Sequence, residues 1–228
     1  FGREVVLLCE YTTGDASGQN MVTIATDAVC RRLLADCPVQ PRRWYLEGNL
    51  SGDKKATVQS LTSARGKRTI AEVVIPARLV EKVLHTTPRG MVDYLAAAQL
   101  GASTAGAVGV QGHVANALTA IFLACGQDAA AVAEAAIGQT RFDVTAGGDL
   151  YASVHLPNLI VGTVGGGTRL PTAQACLKLL GCAGEGRARA FAEICAATAL
   201  CGELSISGTL AAGEFADAHA RFGRPKGA

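Results

Sequence analysis

The first 46 residues constrain the fold most. A Val/Leu-rich stretch at 4–10 runs through Gly14-Asp15-Ala16-Ser17-Gly18 into an amphipathic segment at 20–35. Pro38 and Pro41 then break the pattern before a short apolar stretch at 43–46. The apolar positions Val22, Ala25, Val29, Leu33 and Leu34 fall on one helical face, and the flanking runs read as strands. Strand, glycine turn, helix and strand form one half of a small α/β unit. The other half is expected upstream of Phe1, since the chain enters its first strand at once and without an initiator Met.

The remainder mixes helices and strands without a βαβ repeat. Strands are expected at 69–75 and 150–160, the second despite Pro157. Helices are expected at 77–84, 89–100, 115–125, 129–136, 172–180, 187–201 and 207–221. Residues 101–110 are almost all Gly, Ala, Ser, Thr and Val, a composition suited to close approach by another backbone. The intermixing predicts an α+β fold.

Composition narrows the function. A net charge of +2 and 5% aromatic residues leave neither the electrostatic footprint nor the stacking surface of a nucleic-acid binder. The expected partners are a small molecule or another subunit. Apolar runs are interrupted too often to suggest a bilayer span, and the first residues do not form a signal peptide. Six of the eight cysteines lie in apolar or Ala-rich segments, no CxxC pair occurs, and His85, His113, His155 and His219 are scattered. That usage argues against a structural zinc site and for a reducing, cytoplasmic setting.

Chemistry concentrates in a few segments. Glu47-Gly48-Asn49-Leu50-Ser51-Gly52-Asp53-Lys54-Lys55 places two ammonium groups beside a carboxylate in a Gly/Ser-rich loop. Adjacent cations repel, so burying them requires carboxylates or an anionic ligand. Gly14-Asp15-Ala16-Ser17-Gly18-Gln19-Asn20-Met21, Ala124-Cys125-Gly126-Gln127-Asp128-Ala129-Ala130 and Gly162-Thr163-Val164-Gly165-Gly166-Gly167-Thr168 complete the set. In this order and spacing they resemble the downstream part of the catalytic domain of the HMG-CoA reductase family, in its eukaryotic and archaeal branch.

That resemblance implies a reductase that converts HMG-CoA to mevalonate, with NADPH as cofactor and an acyl-CoA thioester as substrate. It also implies a dimer-based homo-oligomer with its active site at the interface. Residues 1–46 would be part of a small ferredoxin-like NADPH-binding domain, and 47–228 part of the larger substrate and catalytic domain. Lys54 would stabilise negative charge on the substrate oxygen, and Asp128 would hold the lysine charged and aligned. His219, which follows Leu210-Ala211-Ala212-Gly213, would protonate the departing thiolate. Asp53, Lys55, Asn116 and Glu47 are the implied substrate-side residues, with His113 structural. Asp15, Gly18, Gln19, Asn20, Met21, Val164, Gly165, Gly166 and Arg224 are implied around the cofactor, with a glycine turn letting its phosphates approach a helix start.

The sequence also departs from the family. Ser17 and Gln19 replace methionines, Glu47 stands where the family has Ser, and no Lys occurs between Lys82 and Lys178, so Ala97 replaces the lysine that meets the acyl carboxylate. Losing a cation and gaining an acid predicts weaker binding of a dicarboxylic acyl group. Two alternatives therefore stand beside HMG-CoA reduction: a reductase of another acyl thioester, and a non-catalytic subunit. The family's catalytic Glu, its dimer-forming motif and a substrate-binding Arg would lie upstream of Phe1.

Overall fold

The computed structural model describes residues 2–62 and 65–222. Helix α1 (Gln19–Asp36) starts from Gly18 and is followed, after a long irregular stretch, by the short α2 (Gln59–Thr62). Strand β1 (Lys67–Ile75) leads through Pro76 into α3 (Ala77–Leu84) and α4 (Pro88–Ala105). After α5 (Val114–Ala124), a 3-10 turn at Ala129–Ala131 runs into α6 (Val132–Ala135). Strands β2 (Gln139–Val144) and β3 (Leu150–Leu159) form a hairpin. A second 3-10 turn, Gly166–Arg169, precedes α7 (Pro171–Leu179), the long α8 (Ala188–Ala211) and α9 (Phe215–Phe222).

The three strands form an antiparallel sheet in the order β1-β3-β2, so the architecture is α+β as expected. Leu150, Ala152, Val154 and Leu156 of central β3 alternate onto one buried face. Against that face lies α8, whose buried residues Phe191, Cys195, Ala199, Glu203 and Ser207 recur every fourth position. Helices α3, α4 and α5 pack around it, and Met91, Leu118 and Phe122 fill the space between. Each such apolar side chain contributes about 1.5–3 kcal/mol through removal from water.

Pro157 is tolerated because of where it falls on β3. Pairing with β2 ends at Gln139↔His155, and the register with β1 shifts between Lys67 and Thr69. Its missing N–H therefore removes no regular ladder bond.

Several expectations change. Residues 4–10 and 43–46 are not strands: no β-ladder among the described residues includes them, and Val5 is 86% exposed. A strand is defined by its neighbour, and β-rich composition cannot replace one. Helix α1 forms where expected, but none of its residues is buried. Strand β2 was missed, although Thr140 and Phe142 alternate inward between Gln139, Arg141 and Asp143.

The first of the two helices expected at 187–201 and 207–221 runs on without a break to Ala211, and the chain turns at Gly213, φ +74°, before α9. Gly202 and Gly208 lie inside α8 as contact points. A Cβ on Gly202 would lie 2.1 Å from His113 Nδ1, and one on Gly208 3.0 Å from Leu84 Cβ. By length and composition α8 alone among the described helices could cross a membrane. Here it is the central helix of the core, with Glu203 buried in its middle. The small-residue stretch at 101–110 is partly the end of α4. Its close backbone approach occurs at Gly109, where a Cβ would lie 2.3 Å from the Gly138 carbonyl oxygen.

Candidate active site

The lysine loop is a tight turn. Gly52 and Lys54 both have positive φ, +71° and +57°, and the Lys55 amide donates to the Gly52 carbonyl at 3.1 Å. A left-handed lysine is disfavoured by about 1–2 kcal/mol, so something outside the turn must hold it. The Lys54 ammonium meets Asp128 Oδ2 at 3.0 Å. Asp128 itself caps the 3-10 turn, its Oδ1 accepting from the Ala130 amide at 3.0 Å.

The expected pair is therefore formed. Both side chains keep contact with solvent, at 42% exposure for Lys54 and 31% for Asp128. The hydrogen bond to Asp128 and the attraction of its charge hold the Lys54 ammonium above its ordinary pKa. Burial pushes the Asp128 carboxyl up, but hydrogen bonds from Lys54 and the Ala130 amide, with the lysine's charge, carry it below its ordinary value. Both groups remain charged across neutral pH, as a site that stabilises a developing oxyanion requires.

Three residues absent from the sequence reading complete the cluster. Arg65 Nη2 bridges Asp53 Oδ1 at 2.5 Å and Glu134 Oε1 at 2.9 Å. Glu134, on α6, is 1% exposed; it also accepts from the Lys54 backbone amide at 2.9 Å and from Asn158 Nδ2 at 3.0 Å. Asn158 Oδ1 accepts from the Arg65 amide at 2.6 Å. The signal for Glu134 was present: a lone acid in the Ala-rich run 129–136 must be paired if that run is buried.

The other implied substrate residues diverge. Lys55 Nζ donates to the Asp53 carbonyl at 3.0 Å and is otherwise exposed. Glu47 folds onto its own loop, accepting from the Asn49 amide and from Ser51 Oγ, so its charge is met by hydrogen-bond donors and water. Ala97 is exposed on α4. Asn116 opens onto a groove between α5 and α8, lined also by His113, Ile121, Thr198 and Gly202. His113 buries an Nδ1 that has no partner. His219 is exposed on α9, its ring tilted 48° against that of Phe215 with centroids 4.3 Å apart, and bonded through Nδ1 to the Phe215 carbonyl at 2.9 Å. Among the described residues no hydrogen bond or ion pair joins His219 to Lys54 or Asp128.

Glycines bring the expected cofactor loops against the lysine site. A Cβ on Gly126 would lie 2.3 Å from the Gly167 carbonyl oxygen, and one on Gly162 would lie 2.4 Å from the Ser17 amide. Ala16 bridges Val164, and the Thr163 amide donates to the Asp15 carbonyl at 2.8 Å. Segments 14–18, 126–128 and 162–167 are thereby one backbone assembly. Gln127 ties it further, accepting from the Gly162 amide at 2.9 Å.

Asp15 differs from its expected role. Its carboxylate accepts from the Gly186 and Ala188 amides at 2.8 and 3.0 Å, and these bonds hold it below the ordinary carboxylate range. It caps the start of α8. The start of α1, by contrast, has no side-chain cap. Beside it Gln19, fixed by Ser17 Oγ at 2.8 Å, buries an Nε2 with no partner. Gly165 and Gly166 have positive φ and open space where a Cβ would stand. Uncapped helix amides, an orphaned donor and two bare glycines fit an anionic dinucleotide. Asn20 and Met21 lie in the exposed first turn of α1. Arg224 lies outside the described residues. Among those described, no group of three or more His, Cys, Asp or Glu side chains converges as metal ligands do.

Comparison with known proteins identifies the family. The hydroxymethylglutaryl-coenzyme A reductase family model matches residues 1–224. The chain belongs to that family. It is 46% identical over 215 residues to the 3-hydroxy-3-methylglutaryl-coenzyme A reductase of Methanothermobacter thermautotrophicus, covering 94% of this chain and 53% of that protein. Against the enzymes of the same name from Pyrococcus horikoshii and Aeropyrum pernix, identity is 44% over 98% of this chain, and 55% and 54% of theirs. The chain thus spans about half the length of the relatives it matches.

Proposed function

We propose that this chain carries the lysine-bearing and dinucleotide-binding part of an enzyme that reduces HMG-CoA to mevalonate with release of CoA. The observation that supports it most is the Lys54–Asp128 pair at 3.0 Å. NADPH is the proposed cofactor; two molecules bound in turn would supply the two hydrides, one to the thioester carbonyl and one to the aldehyde left when CoA departs. Residues 1–46 act as part of the small cofactor domain, where the uncapped start of α1 and Gln19 meet its phosphates.

Lys54 stands as the cation beside the carbonyl oxygen. Asp128 keeps it protonated and aimed, so negative charge developing on that oxygen meets a fixed ammonium. Asn116 orients the acyl group from the α5 groove. His219 protonates the thiolate once the tetrahedral adduct collapses, which requires α9 to approach the site when substrate is bound. The reaction proceeds in the cytoplasm, in a homo-oligomer whose subunits share the site.

A reductase of another thioester is the second reading, supported by Ala97. Glu47 no longer supports it, since its carboxylate is occupied by its own loop. The deciding experiment is NADPH oxidation by the longest natural polypeptide carrying this sequence, with HMG-CoA beside uncharged and amine-bearing acyl-CoAs, and Lys54→Ala as control. Lys54-dependent turnover of HMG-CoA is expected. Turnover with other thioesters alone would transfer the assignment to the second reading, and no turnover would indicate a non-catalytic subunit.

A further inference from the structure

One lysine is held at both ends by carboxylates from a single helical unit. Asp128 begins the 3-10 turn that runs directly into α6, and Glu134 lies within α6. Asp128 binds the Lys54 side chain at Nζ, while Glu134 binds the same residue at its backbone amide. We propose that Glu134 is a positioning residue for the reaction: it sets the height and direction of the Lys54 ammonium by anchoring the lysine's main chain. This rests on the reading of Lys54 as the charged group of the reaction.

A pairing role for Arg65 alone would not account for the arrangement. The guanidinium already has Asp53 at 2.5 Å. Glu134 accepts from four donor atoms on three residues: the Lys54 amide, Arg65 through Nε at 3.1 Å and Nη2 at 2.9 Å, and Asn158 Nδ2 at 3.0 Å. Lys54 has φ +57°, a conformation its own side chain disfavours, so an external acceptor for its amide selects the turn that aims Nζ at Asp128. Rigidity comes from burial, because Glu134 is 1% exposed and cannot change rotamer without displacing Asn158 and Arg65. The lysine head remains 42% exposed and free to meet substrate.

Glu134→Gln is the informative change, because every partner of the carboxylate is a donor. A carboxamide whose oxygen stayed on Lys54 would set its NH2 against Arg65 Nε and Asn158 Nδ2, so the oxygen goes to those two donors and the NH2 faces the Lys54 amide, which it cannot serve. Asn158 cannot flip in response, since its oxygen holds the Arg65 amide. The turn is therefore released while the side-chain volume is kept.

Two readouts test this in the longest natural polypeptide carrying the sequence. The first is pH-dependent acetylation of individual lysines, read by peptide mass spectrometry with Lys82 and Lys178 as internal references. Lys54 in Glu134→Gln is expected to label several-fold faster at pH 8, because an ammonium no longer held against Asp128 deprotonates more readily. The second is turnover: kcat should fall by about 10–100-fold with KM nearly unchanged, the scale of an ångström-sized misplacement.

Wild-type Lys54 labelling together with wild-type kcat overturns the inference. So does a loss of stability that raises labelling of all three lysines alike. Should Glu134→Gln fail to fold, Asn158→Ala loosens the same carboxylate and must show both effects in weaker form. Lys54→Ala separates the two levels. If it turns over normally, the reading of Lys54 fails and this inference falls with it; if it is inactive while Glu134→Gln behaves as wild type, only this inference fails.

Discussion

Replacing Glu203 tests how the groove around Asn116 is held. Its carboxylate, 2% exposed in the middle of α8, accepts from the Gly112, His113 and Val114 amides at 2.9, 2.5 and 3.1 Å and from Thr140 Oγ1 at 2.7 Å. Helix α5 has no cap of its own, so this remote side chain serves its first turn and ties it to β2. In Glu203→Gln the carboxamide oxygen can keep the amides while Thr140 turns its hydroxyl to accept. What is lost is charge assistance and the match to the helix dipole, worth about 2 kcal/mol. Glu203→Ala instead leaves three amides without an acceptor and opens a cavity beside Tyr94, Gln111 and Ser207, for about 3–5 kcal/mol. Urea unfolding of both variants measures the difference. A destabilisation by Glu203→Ala below about 1 kcal/mol would refute the cap, because an unserved buried helix start costs at least that.

Gly126→Ala adds a Cβ 2.3 Å from the Gly167 oxygen at a φ of +65°, so it should destabilise the protein by about 2 kcal/mol or more and separate the loops; thermal unfolding checks this. The Lys54–Asp128 pair sets a second expectation, in the pH dependence of stability. The folded pKa of Lys54 is raised above 10.5, so its contribution is complete below that pH and lost as pH rises through the folded value. That of Asp128 is lowered below 3.8, so its contribution is present above that pH and lost as pH falls through the folded value. The stability difference between wild type and Asp128→Asn should therefore be flat across neutrality and shrink at both extremes. A difference that changed between about pH 6 and 8 would assign the effect to another group.

Local signals were legible where the chain satisfies itself locally. Pro76 before α3, Thr87 capping α4 through the Gly90 amide, and Pro171 opening α7 all mark real helix starts. The Lys54–Asp128 pair was legible through resemblance, since nothing in a 74-residue separation reveals a contact by spacing alone. Strands were the opposite case. The 4–10 run has better β composition than β2, yet β2 pairs with β3 and the former joins no β-ladder among the described residues. The continuity of α8 was missed for a related reason. Gly202 sits inside that helix because His113 needs the space, and a sequence carries no record of what presses against a missing side chain.

The acids Asp15, Glu134 and Glu203 share one device that explains why these residues were missed or misassigned. Each serves a backbone amide remote in sequence: Asp15 at the start of α8, Glu134 at Lys54, and Glu203 at the start of α5. Local capping patterns cannot reveal them, but a lone acid in an apolar stretch can be searched for. The device also bears on the cofactor. Of the four described helices longer than ten residues, α4 is capped by Thr87, α5 by Glu203 and α8 by Asp15. Helix α1 has no side-chain cap, and it is the one whose start adjoins the bare glycines 165 and 166 and the unpartnered Gln19 Nε2. A chain that caps three long helices and leaves the fourth to a ligand should bind an anion at that one place. Gln19→Met then tests the donor itself: it should weaken NADPH binding measured by fluorescence while leaving Lys54 labelling unchanged, and a shift in both would mean that the loops respond as one body and that Gln19 acts through packing.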